Sequence, residues 1–336
     1  MRIKKYLVIM LSIVMVVLGL SACGMQKTED KTTKETHKLK IVTTIFPEYD
    51  WVKNILGDQA DQAEIKMLLD NGVDLHSYQP TAEDIMQISQ CDLFIYVGGE
   101  SDAWVEDALK EAVNKNMRVI NLLDVLKDTI KEEEVVEGMQ AEEEEGDEEE
   151  GDEEEEEPEY DEHVWLSLRN AETLCQSIEK ALAELNPSAA SNYENNLNQY
   201  LSKMKDLDQK YQEVVNDGKN KTLLFGDRFP FRYLVDDYNL KYYAAFVGCS
   251  AETQASFKTI MFLAGKVDEL GLNTVLTIEK SDQKIANAIV KNTKSKSQKI
   301  LSMDSMQSTT SEDIKNGETY LGAMEENLGV LQKALQ

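Results

Sequence analysis

The chain has 336 residues and a net charge of -28, from 35 basic and 63 acidic side chains. That length accommodates two domains of ordinary size, each with its own core. A surface this acidic cannot neutralise phosphates, which excludes nucleic acid as a partner. Much of the charge is local: between Glu132 and Glu162 there are 21 acidic residues and no basic one.

Arg2, Lys4 and Lys5 precede the apolar run Tyr6 to Leu20, the pattern of a signal peptide over residues 1–22. The run is shorter than a membrane span requires. It ends in Leu20-Ser21-Ala22-Cys23, which resembles a bacterial lipobox. Cleavage before Cys23 and lipidation of its sulfur would anchor the mature chain to the outer face of the cytoplasmic membrane, at the cell surface. Residues 23–38 are polar and read as a tether, with His37 solvated in it. The other cysteines, Cys91, Cys175 and Cys249, fit no metal knuckle and are expected to be small buried hydrophobes.

From residue 39 to about 130, strands and helices alternate. Leu39 to Ile45 is a first strand, and Tyr49, Val52 and Leu56 mark a helix stopped by Gly57. Glu64 to Leu69 is a second strand. The stretch Leu68 to Gly99 follows, with His76 in a loop bounded by Asn71-Gly72 and Pro80. Thr81, with Asp84 three residues on, caps a helix whose apolar side is Ile85, Met86 and Ile88. Leu93 to Val97 is a buried strand. Ser101 or Asp102 is expected to cap the next helix, with Ala103, Trp104, Ala108 and Val113 as its apolar stripe. Arg118 to Asn121 is a fourth strand. The alternation predicts an N-terminal α/β lobe with a mostly parallel sheet.

The acidic segment 131–162 offers nothing to bury and reads as a disordered insertion. Order is expected to return at His163. Between Asn170 and Asn216 there is no glycine and the only proline is Pro187. Apolar residues at three- and four-residue spacing give a short helix, a break at Asn186-Pro187, and a second helix about 42 Å long ending at Gly218. Thus 163–217 ends the first lobe and supplies a rod joining it to a second lobe, 218–336. That lobe alternates again: strand Thr222 to Phe225, helix Asp227 to Asp237, strand Leu240 to Val247, helix Phe257 to Leu270, strand Thr274 to Ile278, helix Asp282 to Lys291, strand Lys299 to Leu301, and a last helix from about Thr319.

Open α/β sheets place ligands at the carboxyl ends of parallel strands. His76 and His163 in the first lobe, and Asp227 and Asp304 in the second, occupy such positions. Together they would make a mixed nitrogen and oxygen site for a first-row divalent metal in a cleft between the lobes. Glu279, after strand Thr274 to Ile278, would suit a role orienting an imidazole N–H. Each has a plainer reading: His163 bonded to Asp161 or Glu162, Asp227 as a helix cap or paired with Arg228, Asp304 in an Asx turn.

The segments GVDLHSYQPTAEDI, CDLFIYVGG, EHVWLSLRNAETL, ILSMDSMQS, YLGAMEENL and IVTTIFPEYDWVKNILGD resemble the lipoprotein solute-binding subunits of bacterial ABC transporters for zinc and manganese. The resemblance runs from Leu39 to the end. It implies metal-site positions at His76, His163 and Asp304. Zinc members commonly place histidine, and manganese members glutamate, within the segment that here reads GDRFPFRYLVDDY; Asp227 is the replacement, since the neighbouring Arg228 guanidinium does not ligate. Zinc members also carry a histidine-rich acidic insertion before the second histidine, and here the insertion lacks histidine. The resemblance implies a monomer that captures Zn2+, with Mn2+ or Fe2+ as alternatives, and delivers it to an ABC permease without catalysis. Rival readings are a surface adhesin and a metallohydrolase; the latter lacks an HExxH helix and room for a substrate.

Overall fold

The computed structural model describes residues 38–140, 159–250 and 254–336. The signal segment, Cys23, the tether with His37 and the middle of the acidic insertion lie outside the described residues. Residues Leu39–Gln336 form one compact unit. Two four-stranded sheets organise it, and all their pairings are parallel. The first runs in the order β2-β1-β3-β4, from β1 (Lys40–Thr43), β2 (Glu64–Met67), β3 (Leu93–Tyr96) and β4 (Arg118–Asn121). The second runs β6-β5-β7-β8, from β5 (Thr222–Phe229), β6 (Lys241–Val247), β7 (Thr274–Ile278) and β8 (Lys299–Met303). Parallel strands need helical crossovers, which cover both faces, and the central strands are correspondingly buried over most of their length.

Two α/β lobes joined by a long helix are therefore present. The helix Ala190–Asp217 has 28 residues and buries Tyr193, Leu197, Tyr200, Leu201, Met204, Leu207, Tyr211 and Val215 along one face. It is fixed at both ends of its length. Asn196 donates to the Ile55 carbonyl at 3.0 Å and the Tyr200 hydroxyl to Asp50 at 3.2 Å, on the first lobe's opening helix. The Tyr211 hydroxyl donates to the Met324 carbonyl at 2.7 Å, on the final helix Tyr320–Ala334. That final helix also returns to the first lobe: the Tyr320 hydroxyl donates to the Trp165 carbonyl at 2.8 Å, and its ring meets Trp51 edge-on at 5.2 Å. One buried apolar cluster consequently runs through both lobes.

Several sequence expectations are corrected. Met86 and Val113, read as core-facing, are 54 % and 73 % exposed. Ser101 and Asp102 do not cap a helix; they lie within the one-turn 3-10 segment Glu100–Asp102, and the helix begins at Val105. Strand β5 does not stop at Phe225 but continues to Phe229, with a register shift between Phe225 and Arg228. Gly226 accounts for it: a Cβ there would lie 2.6 Å from the Cα of Ala286, so the helix Lys284–Asn292 packs directly on the bulged backbone. The helix read from Asp227 therefore begins only at Arg232.

The ends of the acidic insertion are ordered as well. Glu132 and Tyr160 form an antiparallel bridge, Glu133 N–H donates to the Glu159 carbonyl at 2.9 Å, and Asp161 N–H to that of Lys131 at 2.9 Å. This stem is bonded to the second lobe. Lys131 pairs with Asp236 at 2.9 Å, Glu134 with Arg232, and Gln140 N–H donates to the Ala245 carbonyl at 3.0 Å.

Candidate metal centre

His76 sits in the one-turn 3-10 segment Leu75–Ser77, capped by Asp74, which accepts from His76 N–H at 3.1 Å. The preceding Gly72 has φ of 82°, a left-handed turn that glycine adopts without strain. The ring is held from behind: Nδ1 lies 2.7 Å from Ser101 Oγ and 3.5 Å from Glu162 Oε2. Glu162 is itself positioned by Ser101 N–H, which donates to Oε1 at 2.9 Å.

His163 follows the stem of the insertion and is fully buried. Asp161 Oδ1 accepts from its backbone N–H at 2.9 Å and lies 3.0 Å from Nδ1. Trp165, also fully buried, stands beside the ring at 5.3 Å and donates through Nε1 to the Ser305 carbonyl at 2.8 Å.

These contacts leave Nε2 of each ring facing the other at 3.2 Å. With both Nδ1 atoms turned to oxygen partners, the facing Nε2 atoms present lone pairs to one another. That contact is repulsive unless a proton or a cation lies between them. Two nitrogens bound to zinc at 2.0–2.1 Å in a tetrahedron are separated by about 3.3 Å, so the pair fits a metal with almost no movement.

The third group is Cys249. Ligand atoms of His76, His163 and Cys249 all lie within 4.8 Å of one another. Cys249 comes two residues after the end of β6. Its N–H donates to Glu133 Oε1 at 3.0 Å, so the insertion stem holds its backbone. Gly248 makes the approach possible, because a Cβ there would sit 2.9 Å from His163 Cε1.

The charges are arranged around this cluster. Burial, then the neighbouring His163, push the His76 pKa down to about 3, with Arg228 adding and Asp74 opposing. Burial alone would lower His163 too, but contact with Asp161 outweighs it and the net shift is upward. Burial raises the carboxyls of Glu133 and Glu162, and it raises the Cys249 thiol with help from Asp161, Glu133 and Glu162. A divalent cation among these groups would reverse the preference and favour thiolate and carboxylates. Beyond them, Arg228 of the second lobe is ion-paired with Asp74 of the first, directly beside His76.

Of the four ligands expected from sequence, the structure brings His76 and His163 together and leaves Asp227 and Asp304 outside their cluster. Asp227 lies in the β5 bulge, where its carboxylate accepts from Ser281 Oγ at 2.5 Å and Arg228 N–H at 3.0 Å. Asp304 makes an Asx turn with Met306 N–H at 2.7 Å, and Asn327 brackets its backbone on both sides. Burial first, and then the Glu279 charge, push its pKa up to about 7. Glu279 orients no imidazole: it accepts from Ser305 N–H and Oγ, both at 2.8 Å, and from Ser308 Oγ at 3.2 Å. The imidazoles are oriented instead by Ser101, Glu162 and Asp161. Cys249 went unread as a site residue, although it shares the strand-end position that singled out the others.

Two parallel-sheet lobes, a rigid helix between them and an imidazole pair where the lobes meet define a two-lobed solute-binding protein with a metal-sized site. Residues 41–334 match the family model "Zinc-uptake complex component A periplasmic". The chain belongs to that family. It is 31 % identical over 317 residues to the zinc-binding lipoprotein AdcA of Streptococcus pneumoniae, covering 94 % of this chain and 58 % of that one. The chain thus spans little more than half the length of AdcA. It is 27 % identical over 318 residues to the high-affinity zinc uptake system protein ZnuA of Bacillus subtilis, covering 95 % and 94 %. The solved Zn(II)-bound ZnuA-like domain of S. pneumoniae AdcA superposes with a TM-score of 0.68 at 27 % identity, covering 89 % of this chain and 99 % of that domain.

Proposed function

We propose that this chain is an extracytoplasmic solute-binding lipoprotein that captures Zn2+ between His76 and His163 and delivers it to an ABC permease. The observation that carries the reading is the facing pair of Nε2 atoms at 3.2 Å, each ring braced through Nδ1. Burial and fixed orientation spare the metal the cost of ordering its ligands, and the carboxylates that brace the rings raise their basicity. The zinc-binding relatives support zinc as cargo. Mn2+ and Fe2+ lose their main support with the carboxylates of Asp227 and Asp304 outside the cluster. The protein is a carrier and not an enzyme, working as a monomer and anchored through lipid on Cys23 after loss of residues 1–22.

Native mass spectrometry with elemental analysis of chelator-free protein tests the reading. It predicts one zinc per chain, lost in His76→Ala. Protein purified without zinc, or a His76→Ala variant that keeps it in full, would overturn it.

A further inference from the structure

We propose that Cys249 supplies a thiolate as the third metal donor, and that this sulfur sets the protein's choice of metal. The inference rests on the reading of His76 and His163 as zinc ligands and adds the donor that completes them. Among the described residues, this trio is the set of histidine, cysteine and acidic side chains whose ligand atoms converge within 4.8 Å. The second-lobe carboxylates expected to fill the place are not in this set: Asp227 accepts from Ser281 Oγ, and Asp304 accepts from Met306 N–H in an Asx turn.

The local structure is built to deliver the sulfur. Gly248 passes against the back of the His163 ring at a distance no side chain would permit. The next residue is pinned by Glu133 of the insertion stem. The stem also supplies Asp161, which orients His163. One element thus positions a donor from each lobe. Zinc holds sulfur at about 2.3 Å and imidazole nitrogen at 2.0–2.1 Å, which places tetrahedral sulfur and nitrogen about 3.6 Å apart. The sulfur already lies within 4.8 Å of a ring nitrogen of each histidine, and a side-chain rotation would bring it into bonding position.

The consequence is selectivity. A carboxylate in this position would suit Mn2+ as well as Zn2+, whereas thiolate favours zinc and other soft ions and penalises manganese. In binding, each imidazole donates a lone pair from Nε2 and the sulfur binds as thiolate, so the thiol proton and any proton held on His163 leave to solvent as the metal–ligand bonds form.

Cobalt(II) substitution tests this in the full mature chain. The wild-type cobalt complex is expected to show a sulfur-to-metal charge-transfer band in the near ultraviolet along with visible d–d bands. Cys249→Ser should keep the d–d bands and lose the charge-transfer band. It should bind Zn2+ roughly tenfold or more weakly and narrow the preference for Zn2+ over Mn2+. A wild-type complex with d–d bands but no charge-transfer band would overturn the proposal without needing any variant to fold. So would a Cys249→Ser protein with unchanged zinc affinity and metal preference. Absence of all cobalt and zinc binding in wild type would instead sink the histidine site itself.

Discussion

Gly248→Ala places a single methyl group between the two histidine-bearing and cysteine-bearing segments. The added Cβ would lie 2.9 Å from His163 Cε1, 3.1 Å from its Nδ1 and 2.9 Å from the Phe229 carbonyl oxygen. None of these neighbours is the free end of a flexible side chain. His163 is fully buried and doubly bonded to Asp161, and the Phe229 carbonyl belongs to the end of β5. Relieving such a contact by shifting packed groups costs about 1–3 kcal/mol. Replacing glycine also removes freedom from the unfolded chain, a gain of about 0.4–1 kcal/mol where the backbone permits alanine. The clash wins, leaving a net destabilisation of about 1–2 kcal/mol. The larger effect falls on the metal, because relief moves either the imidazole or the Cys249 backbone. Urea unfolding of the metal-free protein, together with zinc titration against a competing chelator, reads both. Zinc affinity is expected to fall roughly 10–100-fold, the range found when a ligand loses its proper orientation. A variant with wild-type stability and wild-type zinc affinity would refute the described packing at this site.

Asp161→Ala removes the acceptor that holds both the ring and the backbone of His163. Zinc affinity should drop about 10–100-fold in a chelator competition with little change in far-ultraviolet circular dichroism, and an unaltered affinity would contradict the bracing role. Glu48 predicts a pH dependence of stability. It is fully buried, and burial and then the Asp102 charge raise its pKa from 4.5 to about 8. The folded state therefore holds this proton more tightly than the unfolded state, so the group's stabilising contribution is present below about pH 4.5 and is lost as pH rises toward 8, at about 1.4 kcal/mol per unit. Chemical denaturation of wild type and Glu48→Gln should agree near pH 5 and diverge in favour of Gln near pH 8.5. Parallel pH profiles would show that Glu48 ionises freely in the fold.

The lobes and the rod between them were legible because their signals are local. The run from Leu93 to Val97 announces a buried strand by its composition, and the helix Ala190–Asp217 by its spacing and lack of glycine. His76 was legible for a related reason: a turn-rich loop between two packed elements offers an imidazole no core to join. The features missed are those set by distant partners. The bulge at Gly226 and Asp227 exists because the helix around Ala286 packs on β5; Gly226 marks a close approach, but nothing local names the helix that makes it. The insertion looked wholly solvated because its stem is held by Arg232, Asp236 and Ala245, far along the chain. Cys249 was discounted because a single cysteine carries no spacing pattern; only the meeting of β6 with the His163 loop gives it partners.

The central claim is that one zinc ion sits between His76 and His163. Anomalous diffraction at the zinc edge from crystals of the zinc-loaded chain tests it most directly. A single peak bonded to both Nε2 atoms, at about 2.0–2.1 Å from each, is the predicted result. A zinc peak on other residues, with the two imidazoles still facing each other across an empty gap, would contradict it.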